Sequence, residues 1–185
     1  LTGYLWDTES QKKAVLNALE EAKKHDIKVA LSLSDPFCVT RHKEDFINLL
    51  KGYASMVFCN QEEAFTLLDT EITQKAVETL SNMTETVALT IGANGALVSH
   101  QSETFYIDPL PVTVSDTTGA GDAFAAGFLY GMTHDFTPLD SGRIGATMAS
   151  GVIGQTGPRY QGNVRKLIND KLGISLKRSI KVKDK

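Results

Sequence analysis

The stretch DTTGAGDAFAAGF, residues 116–128, decides how the rest of the chain is read. Its glycines, acids and threonines run straight into an alanine-rich apolar segment. Gly119 and Gly121 permit positive φ and a close approach of the backbone to a ligand. A helix starting near Ala120 leaves free N–H groups at its first turn, and with the helix dipole they attract an anion such as phosphate. Asp122 is then awkward, because a carboxylate repels phosphate. Its position makes chemical sense if it takes the proton from a hydroxyl that attacks phosphorus. The N–H groups of Gly119, Ala120 and Gly121 would meanwhile stabilise charge on the group in transfer. The plainer alternative is a glycine-rich turn capping a helix, with the acid as partner of its dipole. The stretch is not a Walker loop, because GxxxxGK[ST] is absent. Nor is it GxGxxG, because Phe124 occupies the third glycine position.

Working outward, apolar runs alternate with helical periodicity. Residues 1–6 (LTGYLW), 27–33 (IKVALSL), 55–59 (SMVFC) and 86–91 (TVALTI) read as strands. The turn Gly92-Ala93-Asn94-Gly95 joins the last of these to residues 96–99 as a hairpin, and residues 104–107 and 112–114 read as further strands. Helices are expected over 41–52, 61–68, 73–82, 120–132, 138–155 and 164–172. A further helix ends near His25, and Thr8-Glu9-Ser10-Gln11 reads as its capping box. Ser34-Asp35-Pro36 reads as a break after a strand. Nearly all-apolar strands between helices imply an α/β fold with a mostly parallel sheet buried on both faces. No repeat or long linker divides the chain, so residues 1–185 read as one domain. Ligands of such sheets bind beyond the carboxyl ends of the strands, where residues 116–122 are expected.

Composition narrows the class. The 185 residues are 42% hydrophobic and 22% charged, with a net charge of −3. That is ordinary for a globular protein and lacks the basic excess of a nucleic-acid binder. The tail KLGISLKRSIKVKDK is locally basic and reads as a solvated terminus. Cys38 and Cys59 sit in apolar flanks, so buried free thiols and a cytoplasmic location are expected. No Cys/His spacing suggests zinc, and none of His25, His42, His100 and His134 pairs with acids at metal spacing. Trp6 reads as core or rim. No apolar run reaches the ~20 residues of a membrane span, and no signal peptide is visible. The chain opens without methionine on a strand-like segment, which reads as a start partway through a larger protein.

DTTGAGD followed by a small-residue helix resembles the second signature of the ribokinase-like, PfkB-type carbohydrate and nucleoside kinases. Asn60-Gln61-Glu62-Glu63 resembles that family's N-x-x-E motif, and residues 90–95 (TIGANG) its T-x-G-x-x-G nucleotide segment. The segment LSLSDPF and the opening LTGYLWD resemble the adenosine-kinase-like branch. The resemblance implies a three-layer α/β/α fold and ATP-dependent phosphoryl transfer to a hydroxymethyl group of a nucleoside or a sugar. Asp122 would be the base, and Gly119, Ala120 and Gly121 the anion hole. Asn60 and Glu63 would organise Mg²⁺ and phosphate through water. Thr90, Gly92, Gly95 and Thr117 would line the nucleotide. Asp116 and Thr118 resemble positions that hold K⁺ in some relatives. Residues 149–157 would flank the adenine, with Ala149, Gly151, Gly154 and Gly157 permitting close approach.

Local alternatives stand beside these roles. Asn60 suits an N-cap, Glu63 a first-turn acid, Thr90 to Gly95 a plain hairpin, and the small residues tight helix packing. The N-terminal half of such kinases, with a Gly-Gly signature, acceptor contacts and a β lid, is not in this sequence. What is here resembles the C-terminal, nucleotide-binding half. A phosphotransferase completed by that half and a non-catalytic nucleotide-binding module both stay open. Family members often dimerise through the lid, so a homodimer stays open as well.

Overall fold

Three short apolar runs become parallel neighbours: β1 (Ala30–Ser32), β2 (Met56–Asn60) and β3 (Thr86–Thr90). The computed structural model describes residues 1–173. A 3₁₀ turn at Gly92–Asn94 reverses the chain into β4 (Ala96–His100), which runs antiparallel to β3. β5 (Glu103–Ile107) follows after Gln101 and Ser102, both at positive φ as in a type I′ hairpin turn. The sheet order is β1-β2-β3-β4-β5. The α/β class and the closing hairpin are as expected from the sequence.

Contacts divide the chain into two units, Leu1–Tyr106 and Ile107–Lys185. The first unit holds the sheet with α1 (Glu9–Lys24), α2 (Pro36–Gly52), α3 (Gln61–Leu68) and α4 (Thr73–Ser81). Its core joins Leu31, Leu33, Val57, Val87 and Leu89 of the sheet region to Leu19, Phe46, Leu50, Leu67 and Leu80 of the helices. Each such fully buried side chain contributes about 1.5–3 kcal/mol. The second unit holds α5 (Ala120–Thr133), α6 (Pro138–Ile153) and α7 (Val164–Leu172). There α5 lies against α6 at glycine distance. A Cβ on Gly127 would come 2.9 Å from Gly145 Cα, and one on Gly131 2.4 Å from Ser141 Oγ. Gly151 likewise packs tightly, since a Cβ on it would come 2.6 Å from a Leu167 methyl.

Several expected elements differ. Residues 1–6 are not a strand. Only Thr2 bridges β1, at Ser32, and Gly3–Trp6 is a 3₁₀ turn. The chain must turn at Gly3, where a Cβ would meet Leu33 O and the Phe46 ring, both at 2.8 Å. Trp6 is core. β1 starts at Ala30 and not at residue 27, because the Val29 carbonyl accepts from both Ser55 and Met56 N–H and breaks the regular ladder. Residues 112–114 form no strand. Pro109 and Pro111 withhold donors beside them, and Val112 and Val114 are exposed. Thr8 is the N-cap residue of α1, but its hydroxyl donates to Gln11 Oε1 and caps no backbone N–H. α2 begins at Pro36, where Asp35 accepts from Cys38 N–H at 2.8 Å, so the expected break is a helix start. The tail beyond Gly173 lies outside the described residues.

Candidate functional site

The carboxyl ends of β2 and β3 place the first group. Asn60 and Thr90 are register partners, the last residues of adjacent parallel strands. Asn60 is also the N-cap of α3. Its Oδ1 accepts from Glu63 N–H at 2.8 Å, while Glu63 Oε2 accepts from Asn60 N–H at 3.0 Å. Asn60 Nδ2 further donates to Glu63 Oε1 at 2.7 Å. This is a complete capping box. It is more than a cap, because Glu63 is buried. Burial pushes its carboxyl above the usual range, the Asn60 N–H opposes this, and the Asp35 and Glu62 carboxylates add to the rise. A buried carboxylate of that kind fits a hydrated Mg²⁺.

Past Thr90 the backbone turns tightly. Ile91 N–H donates to Gly95 O at 2.7 Å, and Gly92 and Gly95 take φ of 56° and 83°. Both conformations disfavour any side chain. Gly92 is exposed and Gly95 half-buried, so their backbone is open to a ligand beside Thr90.

Beyond β1 lies a group the sequence reading did not single out. The Asp35 carboxylate holds the Tyr4 hydroxyl and pushes it up to about 12. Tyr4 and Phe37 are exposed, Phe37 at 79%. Exposed aromatics beside a strand's carboxyl end are the signal that could have found them, once residues 1–6 were read as a turn. Nearby, Asp7, Cys38 and His42 converge. The expectation that no histidine joins acids or cysteine at metal spacing is corrected here. With α2 expected to start at Arg41, Cys38 was not placed one helical turn before His42. Asp7, distant in sequence, reaches them only in the fold. Cys38 is buried and its thiol is pushed up to about 11 by burial first. Cys59, also free and buried, is pushed up as well.

In the second unit, residues 116–122 form the approach to α5. Gly119 is its N-cap at φ 80°. A Cβ there would lie 2.6 Å from Pro158 O, so conformation and crowding both require glycine. Gly121 meets neither constraint, since a Cβ on it would have nothing within 4 Å. Ala120 N–H donates to Thr117 O at 3.2 Å. The N–H groups of Gly119, Gly121 and Asp122 have no acceptor among the described residues. Asp122 sits exposed in the first turn, and its side chain makes no hydrogen bond or ion pair among the described residues.

Asp116 ties the approach to the segment after α6. Its oxygens accept from Thr118 N–H at 2.9 Å and Gly157 N–H at 3.0 Å. Hydrogen bonding from Thr118, then from Gly157, holds its carboxyl below the usual range. Thr117 and Thr118 are exposed. Of the small residues expected near a base, Gly151 packs against Leu167 and Tyr160, and Gly154 against Val112. Gly157 stands open at φ 97°.

The pfkB family carbohydrate kinase model matches residues 1–164, and the chain belongs to that family. Adenosine kinase of Saccharomyces cerevisiae is 30% identical over 161 residues, which cover 80% of this chain and 47% of that protein. The crystal structure of a probable sugar kinase from Rhizobium etli superposes with a TM-score of 0.88 at 35% identity, over 91% of this chain and 52% of the other. Adenosine kinase from Sinorhizobium meliloti gives a TM-score of 0.87, again at 35% identity, over 91% of this chain and 52% of that one. The fold is therefore ribokinase-like. The chain spans about half the length of these proteins.

Proposed function

We propose that this chain is the nucleotide-binding half of a kinase that transfers phosphate from ATP to a hydroxymethyl group, with an adenosine-like nucleoside as acceptor. The observation that carries the reading is the contrast in the GAGD turn. Gly119 is explained by the fold, whereas Gly121 is not. A glycine without local cause, beside unpartnered N–H groups and an exposed acid, fits close approach of a phosphoryl group.

In this reading Asp122 takes the proton of the acceptor hydroxyl as the hydroxyl oxygen attacks the γ-phosphorus and the bond from that phosphorus to the leaving ADP breaks. The free N–H groups of Gly119, Gly121 and Asp122 receive the charge that builds on the phosphoryl oxygens, whereas the Ala120 N–H is engaged by Thr117 O. In the first unit Asn60 and Glu63 would hold hydrated Mg²⁺, and Thr90, Gly92 and Gly95 would contact the nucleotide; in the second unit Thr117 would do so. When bound, Mg²⁺ neutralises phosphate charge. Asp116 and Thr118 suit K⁺, since the Asp116 carboxylate is kept ionised and its oxygens keep further lone pairs. Two buried thiols suit a reducing, cytoplasmic setting.

The test is Asp122→Asn in the full-length protein. Turnover falls by about 10²–10⁴-fold while ATP affinity stays within about twofold. Equal turnover removes Asp122 as the base. The second reading is a sugar acceptor, favoured by the Rhizobium etli likeness. Exposed Tyr4 and Phe37 favour the nucleoside, because aromatic faces stack on a base.

A further inference from the structure

We propose that Asp7, Cys38 and His42 form a site for a borderline-soft divalent transition ion, Zn²⁺ by preference, built from none of the residues assigned above to phosphate or Mg²⁺. One donor atom from each residue lies within 4.8 Å of the other two. Carboxylate oxygen, sulfur and imidazole nitrogen make a three-ligand zinc set, with water as the fourth ligand. A hard ion such as Mg²⁺ would not choose the sulfur.

The elements bring the donors together for separate reasons. Cys38 and His42 stand four apart on α2 and so share one of its faces. The helix kinks at His42, with φ −125° and ψ 25°. The imidazole packs against the buried Phe46 ring at 6.0 Å between centroids, which restricts its plane. Asp7 closes the 3₁₀ turn Gly3–Trp6 as its C-cap. Asp7 Oδ1 lies 2.9 Å from His42 Nε2. With metal bonds of about 2.0–2.1 Å, that edge of a zinc tetrahedron measures about 3.3 Å, so small side-chain shifts complete it.

Asp7 already receives a cation. Arg41 Nη2 donates to Oδ1 and Oδ2 at 2.9 Å, and Arg41 Nε to Oδ1 at 3.1 Å. The Arg41 side chain is half exposed and can leave Oδ1 to the metal. A clamp made only of Asp7, Arg41 and His42 would leave the Cys38 thiol in the cluster without a role. On loading, Cys38 releases its proton to solvent, and the thiolate and carboxylate balance the two charges of the ion. The metal would fasten the turn carrying Tyr4 to the helix carrying Phe37.

The test is a Zn²⁺ titration of chelator-treated full-length protein in excess Mg²⁺, which occupies the oxygen sites, with metal content measured after dialysis. One equivalent is expected to remain. Cys38→Ser weakens it beyond the roughly 10–100-fold typical of losing an outer partner. Arg41→Ala tightens it by removing the competitor. Co²⁺ in place of Zn²⁺ shows a thiolate charge-transfer band that Cys38→Ser abolishes. Should Cys38→Ser fail to fold, His42→Ala, at a partly exposed position, gives the same loss of affinity. Absence of stoichiometric uptake, or uptake indifferent to both ligand substitutions, overturns the proposal. Neither outcome bears on the kinase reading.

Discussion

Gly119 and Gly121 stand two residues apart and answer to different constraints. Gly119→Ala forces a side chain into φ 80° and against Pro158 O. Stability should fall by about 1–3 kcal/mol in urea unfolding. Gly121→Ala occupies open space in a helical turn, so stability should stay level or rise by about 0.5–1 kcal/mol. Its nucleotide affinity should nevertheless drop, which separates a ligand-facing glycine from a structural one. Glu63 offers a pH test. Its folded-state value is raised by burial above the unfolded one, so the folded state binds the proton more tightly. Its contribution to stability is therefore full below the ordinary glutamate value and is lost as pH rises through the raised one. Glu63→Gln should remove that decline from a stability profile measured between acid and neutral pH, and should also weaken Mg²⁺-dependent nucleotide binding. A profile identical to wild type would place the Glu63 carboxyl in an ordinary environment.

At the scale of elements, α3 and α7 were legible to the residue, since Asn60 and Asn163 cap them as sequence chemistry predicts. α2 was not. Asp35-Pro36 can break a strand or start a helix, and only packing of Cys38, Val39 and Phe46 into the core selects the start. Residues 112–114 looked like a strand by composition, but the prolines before them leave few donors for a ladder. Instead Ser115 and Asp116 N–H both donate to Ile153 O at the end of α6. The α5–α6 contact is set by Gly127, Gly131 and Gly145. There the Ser141 hydroxyl is buried against Gly131 without a hydrogen-bond partner among the described residues. Ser141→Ala should raise stability by about 1 kcal/mol in thermal or urea unfolding. A loss of stability would mean that the hydroxyl is satisfied.

At the scale of the whole molecule, a chain that spans about half the length of its relatives leaves the acceptor to be tested. ADP release measured on the full-length protein, with adenosine and a panel of sugars, should favour adenosine. Phe37→Ala should raise the adenosine KM by about tenfold or more, as expected from losing about 1–3 kcal/mol of stacking, and leave the ATP KM unchanged. Turnover with sugars alone would move the acceptor to the second reading. The sequence by itself determined the α/β class, the order of strands and helices along most of the chain, and the motifs at Asn60, Thr90 and Asp116 to Asp122. Those follow from local periodicity, caps and turn residues, which act over a few positions. Only the tertiary structure decided that residues 1–6 turn and do not extend, that Glu63 is buried, and that Asp7 meets Cys38 and His42. Each depends on which distant surfaces pack together, and no pattern within a short window encodes that.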